Sequence, residues 1–487
     1  MTPPTQLARR RRTSARAALY AALALLAAVT AGFWTWLGRV GPLVEVFDWQ
    51  RIDYESHPAV ALLSSYIAVD TSMPGGDPPA GAELLAGHLR AAGVPVTIER
   101  VGELDVVMWA ILEGDDPGAV VLHHHVDVEP VDRPERWSYP PFEATIEGPW
   151  LYGRGAFDMK SVAVAQLEAF LRLARRSAET GRRPARSVIY LATSGEEIGS
   201  DLGMRWLLRW HPELVERFAV VLTEGGAVEG REQGDVKYWG TEFVQKRNVA
   251  VTVCGDRRER LDGLRRELIA EGRPLTGLVV SPELEAFLAH YAPTRDRDDW
   301  RRLLADPHRL ARDPVAFSRL PAYLRSLFRN EVVPFPVTET DGGWEMELSI
   351  HLVPGADPAE VLAEMLPAWR LHGLGVTVED EGAADHGSPL DHPVMEEIEA
   401  VLAEHYPGMP AGPIYLPWTI TDARFVRARG VPAYGFSPFM VLTPEVLNLA
   451  TQRTLNERIA LPGFVEGVEI YAELLERIAG PEAPGDQ

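Results

Sequence analysis

Between about residues 82 and 224, five short runs rich in β-branched residues alternate with helical patterns and turns: VPVTIERV, VVMWAILEG, GAVVLHHHVD, SVIYLATS and FAVVLTE. Helical patterns precede them in AELLAGHLRAAG (82 to 93), separate the third from the fourth (about Met159 to Arg176), and separate the fourth from the fifth (GMRWLLRWH). Strands alternating with helices of this length predict an α/β fold, a mainly parallel sheet covered by helices on both faces. Sheets of that kind gather ligands at the carboxyl ends of their strands. At or just beyond the end of each of the last three runs stands an acid or a histidine: Asp127 after His125, Glu196 and Glu197, and Glu224.

From about Phe243 the pattern changes. RNVAVTVCGD reads as a strand, an Arg- and Asp-rich region follows to about Phe328, and EMELSIHLVPGADPAEVLAEMLPAW then places Asp357, Pro358 and Glu360 at N-cap, N1 and N3 of a helix. This reads as a smaller α+β domain inserted at residues 245–375, between two parts of a larger domain, 55–244 and 376–480. The first pattern resumes near Val376 and ends in a helix from about Gly463 to Ile478.

The 487 residues are 46% apolar, enough to bury a domain-sized core. A formal net charge of -22 repels phosphate backbones, and no basic stripe in the body offsets it, so nucleic acid is excluded as a partner. The N-terminus differs: ARRRRTSAR (8 to 16) precedes an uncharged, mostly apolar run from Ala17 to Leu37. About 20 apolar residues span a bilayer, so residues 1–40 read as a basic cytoplasmic tip and a membrane anchor that sends the body outward. Val29, Thr30 and Ala31 leave a cleaved signal, and hence a secreted or periplasmic body, as the alternative. Cys254 is the sole cysteine, which rules out an intramolecular disulfide and a thiolate-rich zinc site.

In the HVD segment, His125 and Asp127 lie two apart and share one face of an extended backbone. His125 can bind a metal while Asp127 accepts the other ring hydrogen and orients the imidazole. His123 shares that face deeper in the strand and His124 points the other way, and both read as core histidines. LYGRGAFDMKS puts Asp158 after two glycines at the head of the long helix, as a site acid or as an ordinary N-cap. ATSGEEIGS sets Glu196 beside Glu197 after a strand, where two carboxylates repel unless a cation joins them or one is protonated. VVLTEGG ends its strand on Glu224. Each signal is ordinary alone, but four along one α/β pattern point to metal-assisted hydrolysis. Carboxylates and imidazole suit zinc or a similar divalent ion, and a carboxylate outside the coordination shell can carry the water's proton to the leaving group.

This set, in this order, resembles the M20 family of metallopeptidases, aminoacylases and related dinuclear amidohydrolases over about residues 55 to 480. HVDVEPV is similar to the family's HxDVVP, YGRGAFDMK to YGRGxxDMK, and SGEEIGS to xxEExGS; TDARFVRARGVPAYGFSP and TLNERIALPGFVEGVEIY match two later motifs. The resemblance implies His125 and Glu224 as ligands of one metal, Asp158 as a bridging carboxylate, Glu197 as a ligand of a second metal, Glu196 as general base and acid, and Asp127 as the orienter of His125. It also implies a cis peptide after Asp158, a two-layer lid domain, and a homodimer formed through that lid. Arg424 in TDAR is expected to help position substrate or to support its loop. The basic, apolar N-terminus resembles the carboxypeptidase S-like branch.

The departures from the family pattern bear on the metal count. The position three before the NER motif, a metal-binding histidine in the family, is Arg453 here. The lid segment VCGDRRER lacks the family's oxyanion histidine, and His351 stands where the lid strand usually carries Arg or Asn. Loss of one oxyanion donor slows a reaction by about a hundred- to a thousandfold. A guanidinium cannot ligate, and about 4 Å from a unit positive charge it is repelled by about 4 kcal/mol at an effective dielectric near 20. The expectation is therefore one zinc ion rather than two, with Arg453 paired to Glu197 or Asp158 in place of the other; His386 or His392 moving in as ligand is the alternative. The expected function is hydrolysis of a peptide or N-acyl amino acid amide bond, with a catalytically impaired binding protein of the same fold as the rival.

Overall fold

Burial sorts the strands. In Asp116–His125 every residue from Ala119 onward is buried, so this strand is covered on both faces and lies inside a sheet. The computed structural model describes Tyr54 and residues 56–232, 235–270, 277–368, 370–380, 383, 386–441 and 455–481. The large sheet runs in the order Val96–Arg100, Val106–Leu112, Arg186–Thr193, Asp116–His125, Phe218–Thr223, Ala433–Gly435, Asp235–Gln245, Ala411–Leu416, with Ala227–Glu232 paired beside Asp235–Gln245. Its centre is parallel from Arg186–Thr193 through Asp116–His125 and Phe218–Thr223 to Ala433–Gly435. The Val96–Arg100 edge is antiparallel, so the sheet is mixed around a parallel core.

Helices cover both faces. On one, Met204, Leu207 and Leu208 of the Met204–Trp210 helix pack on Val107, Val121, Ile189, Leu191 and Val221. On the other lies Lys160–Thr180, whose Gln166 donates to the carbonyls of His123 and Leu222 and whose Ala163 carbonyl accepts from the Tyr190 hydroxyl. The Leu461–Ala479 helix packs against it, joined by the paired hydrogen bonds of Arg172 to Glu469, both 2.5 Å.

A second, antiparallel sheet orders Glu331–Pro334, Gly343–Leu352, Arg247–Gly255, Gly375–Asp380, with Thr338–Thr340 on Gly343–Leu352. Arg258–Ala270 and Pro358–Met365 bury Leu261, Leu264, Leu268, Val361 and Met365 against one of its faces, which makes a two-layer α+β unit. Asp357 caps the second helix as its sequence predicts, accepting from the Ala359 amide at 2.8 Å. A small third sheet joins Arg458–Ala460 to Trp150–Tyr152 and Thr145–Glu147, which brings the C-terminal NER segment against the segment leading to Asp158.

The expectation of a membrane-anchored, extracytoplasmic body is corrected. Among the described residues no helix is long and apolar enough to cross a membrane. The longest, Lys160–Thr180, is buried over most of its length and exposed at its C-terminal end, and with Lys160, Gln166, Glu168, Arg172, Arg175 and Arg176 it is too polar for a membrane span. The run from Ala17 to Leu37, on which that expectation rested, lies outside the described residues, as does Arg453.

Candidate metal centre

Three neighbouring parallel strands deliver the central groups. His125 is the last residue of its strand and is in register with Thr193, whose strand leads into the Glu196–Ile198 turn; on the other side Phe218–Thr223 leads into Glu224. The parallel alignment puts all three carboxyl ends on one edge, so groups separated by a hundred residues of chain converge there. Asp158 reaches the same point from the peptide before the long helix, and its bond to Met159 is cis, as the resemblance implies. Asp158 does not cap that helix: Met159 holds the N-cap position without a side-chain bond, so the aspartate is turned toward the histidine instead.

His125 Nε2 lies 3.3 Å from Asp158 Oδ1 and 3.7 Å from Glu224 Oε1. Two sets of ligand atoms, His125 with Glu196 and Glu224 and His125 with Asp158 and Glu197, each fall within 4.8 Å of one another. All of these residues are buried except Glu197, which is half-buried. Burial opposes a charge on the His125 ring. The Glu224 carboxylate and the hydrogen bonds to Asp158 and Glu224 outweigh burial and hold its pKa well above the usual value. A histidine so surrounded marks a site that strongly attracts a cation, whether a proton or a metal ion.

Asp127 acts differently from the sequence expectation. His125 Nδ1 donates to the backbone carbonyl of Asp127 at 2.8 Å, whereas the Asp127 carboxylate stands 3.7 Å away. That carboxylate accepts from the amides of Gly195 (2.8 Å), Glu196 (3.3 Å) and Glu197 (3.0 Å). One residue thus orients the imidazole through its main chain and holds the double-glutamate turn through its side chain.

His123, His124, His392 and His351 make structural contacts. His123 lies between Thr223 and Thr193 hydroxyls, each 2.9 Å from a ring nitrogen, and burial pushes its pKa down to about 3. His124 faces the opposite side and packs against the Tyr190 ring, tilted 43° to it with centroids 4.8 Å apart. His392, considered as a substitute ligand, caps the Pro393–His405 helix, its Nδ1 accepting from the Val394 amide at 3.3 Å. In the second sheet His351 Nε2 meets Ser349 Oγ at 2.9 Å.

Two acids escaped the sequence reading. Glu457, buried with Arg154 and Asp158, accepts from the amides of Phe157 (3.0 Å) and Asp158 (3.1 Å) and pairs with Arg154 at 2.8 Å. Asp422, fully buried, accepts from Ser200 Oγ and from Thr193 Oγ1 (3.4 Å). Arg424 is also buried: it donates to the Thr421 carbonyl at 2.8 Å, lies 4.1 Å over the Phe425 ring, and approaches Glu196 Oε1 to 3.9 Å.

The family model described as Peptidase family M20/M25/M40 matches residues 121–477, most of the chain. The chain belongs to this family. Among curated relatives, this M20 chain is 29% identical to rat (Rattus norvegicus) aminoacylase-1B over 445 residues, 89% of this chain and 98% of that protein. It is 26% identical to the succinyl-diaminopimelate desuccinylase of Stenotrophomonas maltophilia over 396 residues, covering 81% and 92%. The M20 family metallo-carboxypeptidase Sso-CP2 of Sulfolobus solfataricus superposes with a TM-score of 0.64 at 17% identity, covering 86% of this chain and 99% of that one, and so shares the fold. As an M20 member the protein is a metallohydrolase, and the cluster around His125 is where the described residues of this M20 chain gather metal-binding side chains.

Proposed function

We propose that this protein hydrolyses the amide bond of an N-acyl amino acid or small peptide at the His125 cluster. The observation that carries the reading is the convergence, at one sheet edge, of one imidazole and four carboxylates from His125, Asp158, Glu196, Glu197 and Glu224. Buried carboxylates this close repel one another without a cation, and imidazole with carboxylate oxygen is a donor set suited to zinc. A bound divalent ion supplies Lewis acidity, polarising the scissile carbonyl and easing deprotonation of a water.

The chain's own residues do the rest. His125 presents Nε2 to the centre because Nδ1–H is committed to the Asp127 carbonyl. Asp158 and Glu224 complete the holding set of the one ion, Asp158 with its backbone fixed by Glu457, and Glu197 stands where a second ion would sit. Glu196 takes the proton of the attacking water and returns it to the leaving nitrogen. Arg424, buried beside Glu196, supports this glutamate rather than reaching out for substrate. One ion rather than two is our reading: both ligand sets share His125, and sequence position 453 is arginine. The body is 55–244 with about 381–480 and the lid about 245–380, later than the sequence pattern suggests, because Gly375–Asp380 pairs with Arg247–Gly255 in the second sheet. Every group named comes from one chain, so the reading requires no partner subunit.

The relatives named aminoacylase and desuccinylase, and the solved structure named human carnosine dipeptidase 1, guide the choice of substrates. A panel of N-acyl amino acids and dipeptides, assayed with the wild type and with Glu196→Gln, tests the reading. Turnover that falls at least about a hundredfold in the variant is expected. Equal product from both proteins would leave the chain as a binding protein at this site.

A further inference from the structure

We propose that Asp422 is a positioning residue that fixes the turn carrying Glu196 and Glu197. The turn from Gly195 to Ser200 departs from ordinary backbone at three points: Gly195 (φ 83), Gly199 (φ 103) and Ser200 (φ 65), the last a non-glycine in the left-handed region. Its ends are closed on each other by the Ser200 amide donating to the Gly195 carbonyl at 2.6 Å. A turn of this shape holds only where its surroundings impose it.

Two buried carboxylates impose it. Asp127 sits under the middle of the turn and accepts from three consecutive amides. Asp422 grips the ends: one oxygen accepts from Ser200 Oγ, which closes the turn, and the other from Thr193 Oγ1, two residues before it opens. The same carboxylate stands 3.7 Å from His123 Nε2, on the strand that carries His125, and the Asp422 backbone leads into the Ala423–Arg427 helix, which sets Arg424 3.9 Å from Glu196. Asp422 therefore references the double-glutamate turn to the histidine strand without belonging to either ligand set. Placing a catalytic group wrongly by about 1 Å can cost about a hundredfold in rate, so the expected consequence lies in kcat.

The proposal rests on Glu196 and Glu197 acting as proposed, and its test separates the two. Full-length wild type, Asp422→Asn, Asp422→Ala and Ser200→Ala are loaded with cobalt(II), whose visible spectrum reports ligand geometry, and assayed on an N-acetyl amino acid. Asp422→Ala should lower kcat about a hundredfold with KM within about threefold. Ser200→Ala should lower kcat in the wild type yet add nothing in Asp422→Ala. The cobalt spectrum should shift while cobalt content stays at the wild-type level. Asp422→Asn preserves volume and Ser200→Ala removes a single hydrogen bond, so both remain informative if Asp422→Ala does not fold. An unchanged kcat and an unchanged cobalt spectrum in folded Asp422→Asn would overturn the proposal. If the wild type turns over none of the substrates, the functional reading fails, and the cobalt spectrum alone decides the positioning role in either direction.

Discussion

The amide of Asp158 donates to the Glu457 carboxylate at 3.1 Å, across 299 positions of chain. Through this bond the C-terminal NER segment fixes the backbone of an acid at the metal cluster, while Arg154, buried beside it, balances the charge. Glu457→Ala leaves that guanidinium buried without its partner. Loss of about 3 to 5 kcal/mol of stability is expected, the usual cost of breaking a buried pair from one side, and denaturant unfolding would measure it. Glu457→Gln, which can still accept from the two amides, should lose less.

Asp127 separates two roles that sequence spacing had merged. Because His125 is oriented by the main-chain carbonyl of residue 127, Asp127→Ala should leave zinc affinity within about tenfold, at the weak end of the effects of disturbing a ligand's support. The same variant removes the acceptor for three turn amides, so kcat should fall by about a hundredfold. Titration calorimetry with zinc beside steady-state kinetics checks both halves, and a large loss of affinity with normal kcat would contradict them.

Zinc binding should stabilise the fold by mass action. At about a hundred times its dissociation constant a ligand adds about 2.7 kcal/mol, which appears as a rise in melting temperature abolished by a chelator. Glu224→Gln removes the carboxylate 3.7 Å from His125 Nε2. In this variant the zinc-induced rise should shrink or vanish.

His405 predicts a pH dependence remote from the cluster. It links the Pro393–His405 helix to the C-terminal helix, its ring nitrogens meeting Glu466 at 2.6 Å and Glu473 at 3.0 Å. Partial burial opposes its charge, but these two hydrogen bonds and carboxylates prevail and raise its pKa. A folded pKa raised above the unfolded value gives stability that is fully present below about pH 6.5 and is lost as pH rises through the folded value. The destabilisation of His405→Gln should be about 0.5 to 1 kcal/mol in acid, discounted for partial exposure. Melting curves of both proteins across this range should converge as pH rises.

Gly435 offers a packing test of the same edge of the sheet. A Cβ there would lie 2.3 Å from the Glu224 carbonyl oxygen and 2.8 Å from Glu242 Cβ, and backbone cannot yield as a flexible side chain would. Gly435→Ala should therefore cost about 1 to 3 kcal/mol and weaken zinc binding by displacing Glu224. Unchanged stability and affinity would show that the Glu224 segment moves freely.

Much of the cluster was legible before any fold was known. A period of two put His125 and Asp127 together, and apolar strands ending on acids placed Glu196, Glu197 and Glu224 on one edge. Bonds from a side chain to distant backbone were not legible, because every residue has an amide and spacing cannot say which carboxylate finds it. Spacing alone therefore assigns the orienting role to the Asp127 carboxylate instead of its carbonyl, suggests a cap at Asp158 that the structure does not form, and gives no sign of Glu457 or Asp422.

Periodicity and chain order are local properties, so the strand-helix alternation, the parallel centre of the sheet and the acids near its strand ends follow from the order of residues alone. Which acid faces the histidine and which stands behind it emerges only from the packing of distant segments. That choice turns on distances of a few ångströms between segments as far apart as Asp158 and Glu457, and on the requirement that each buried carboxylate find a donor or a cation.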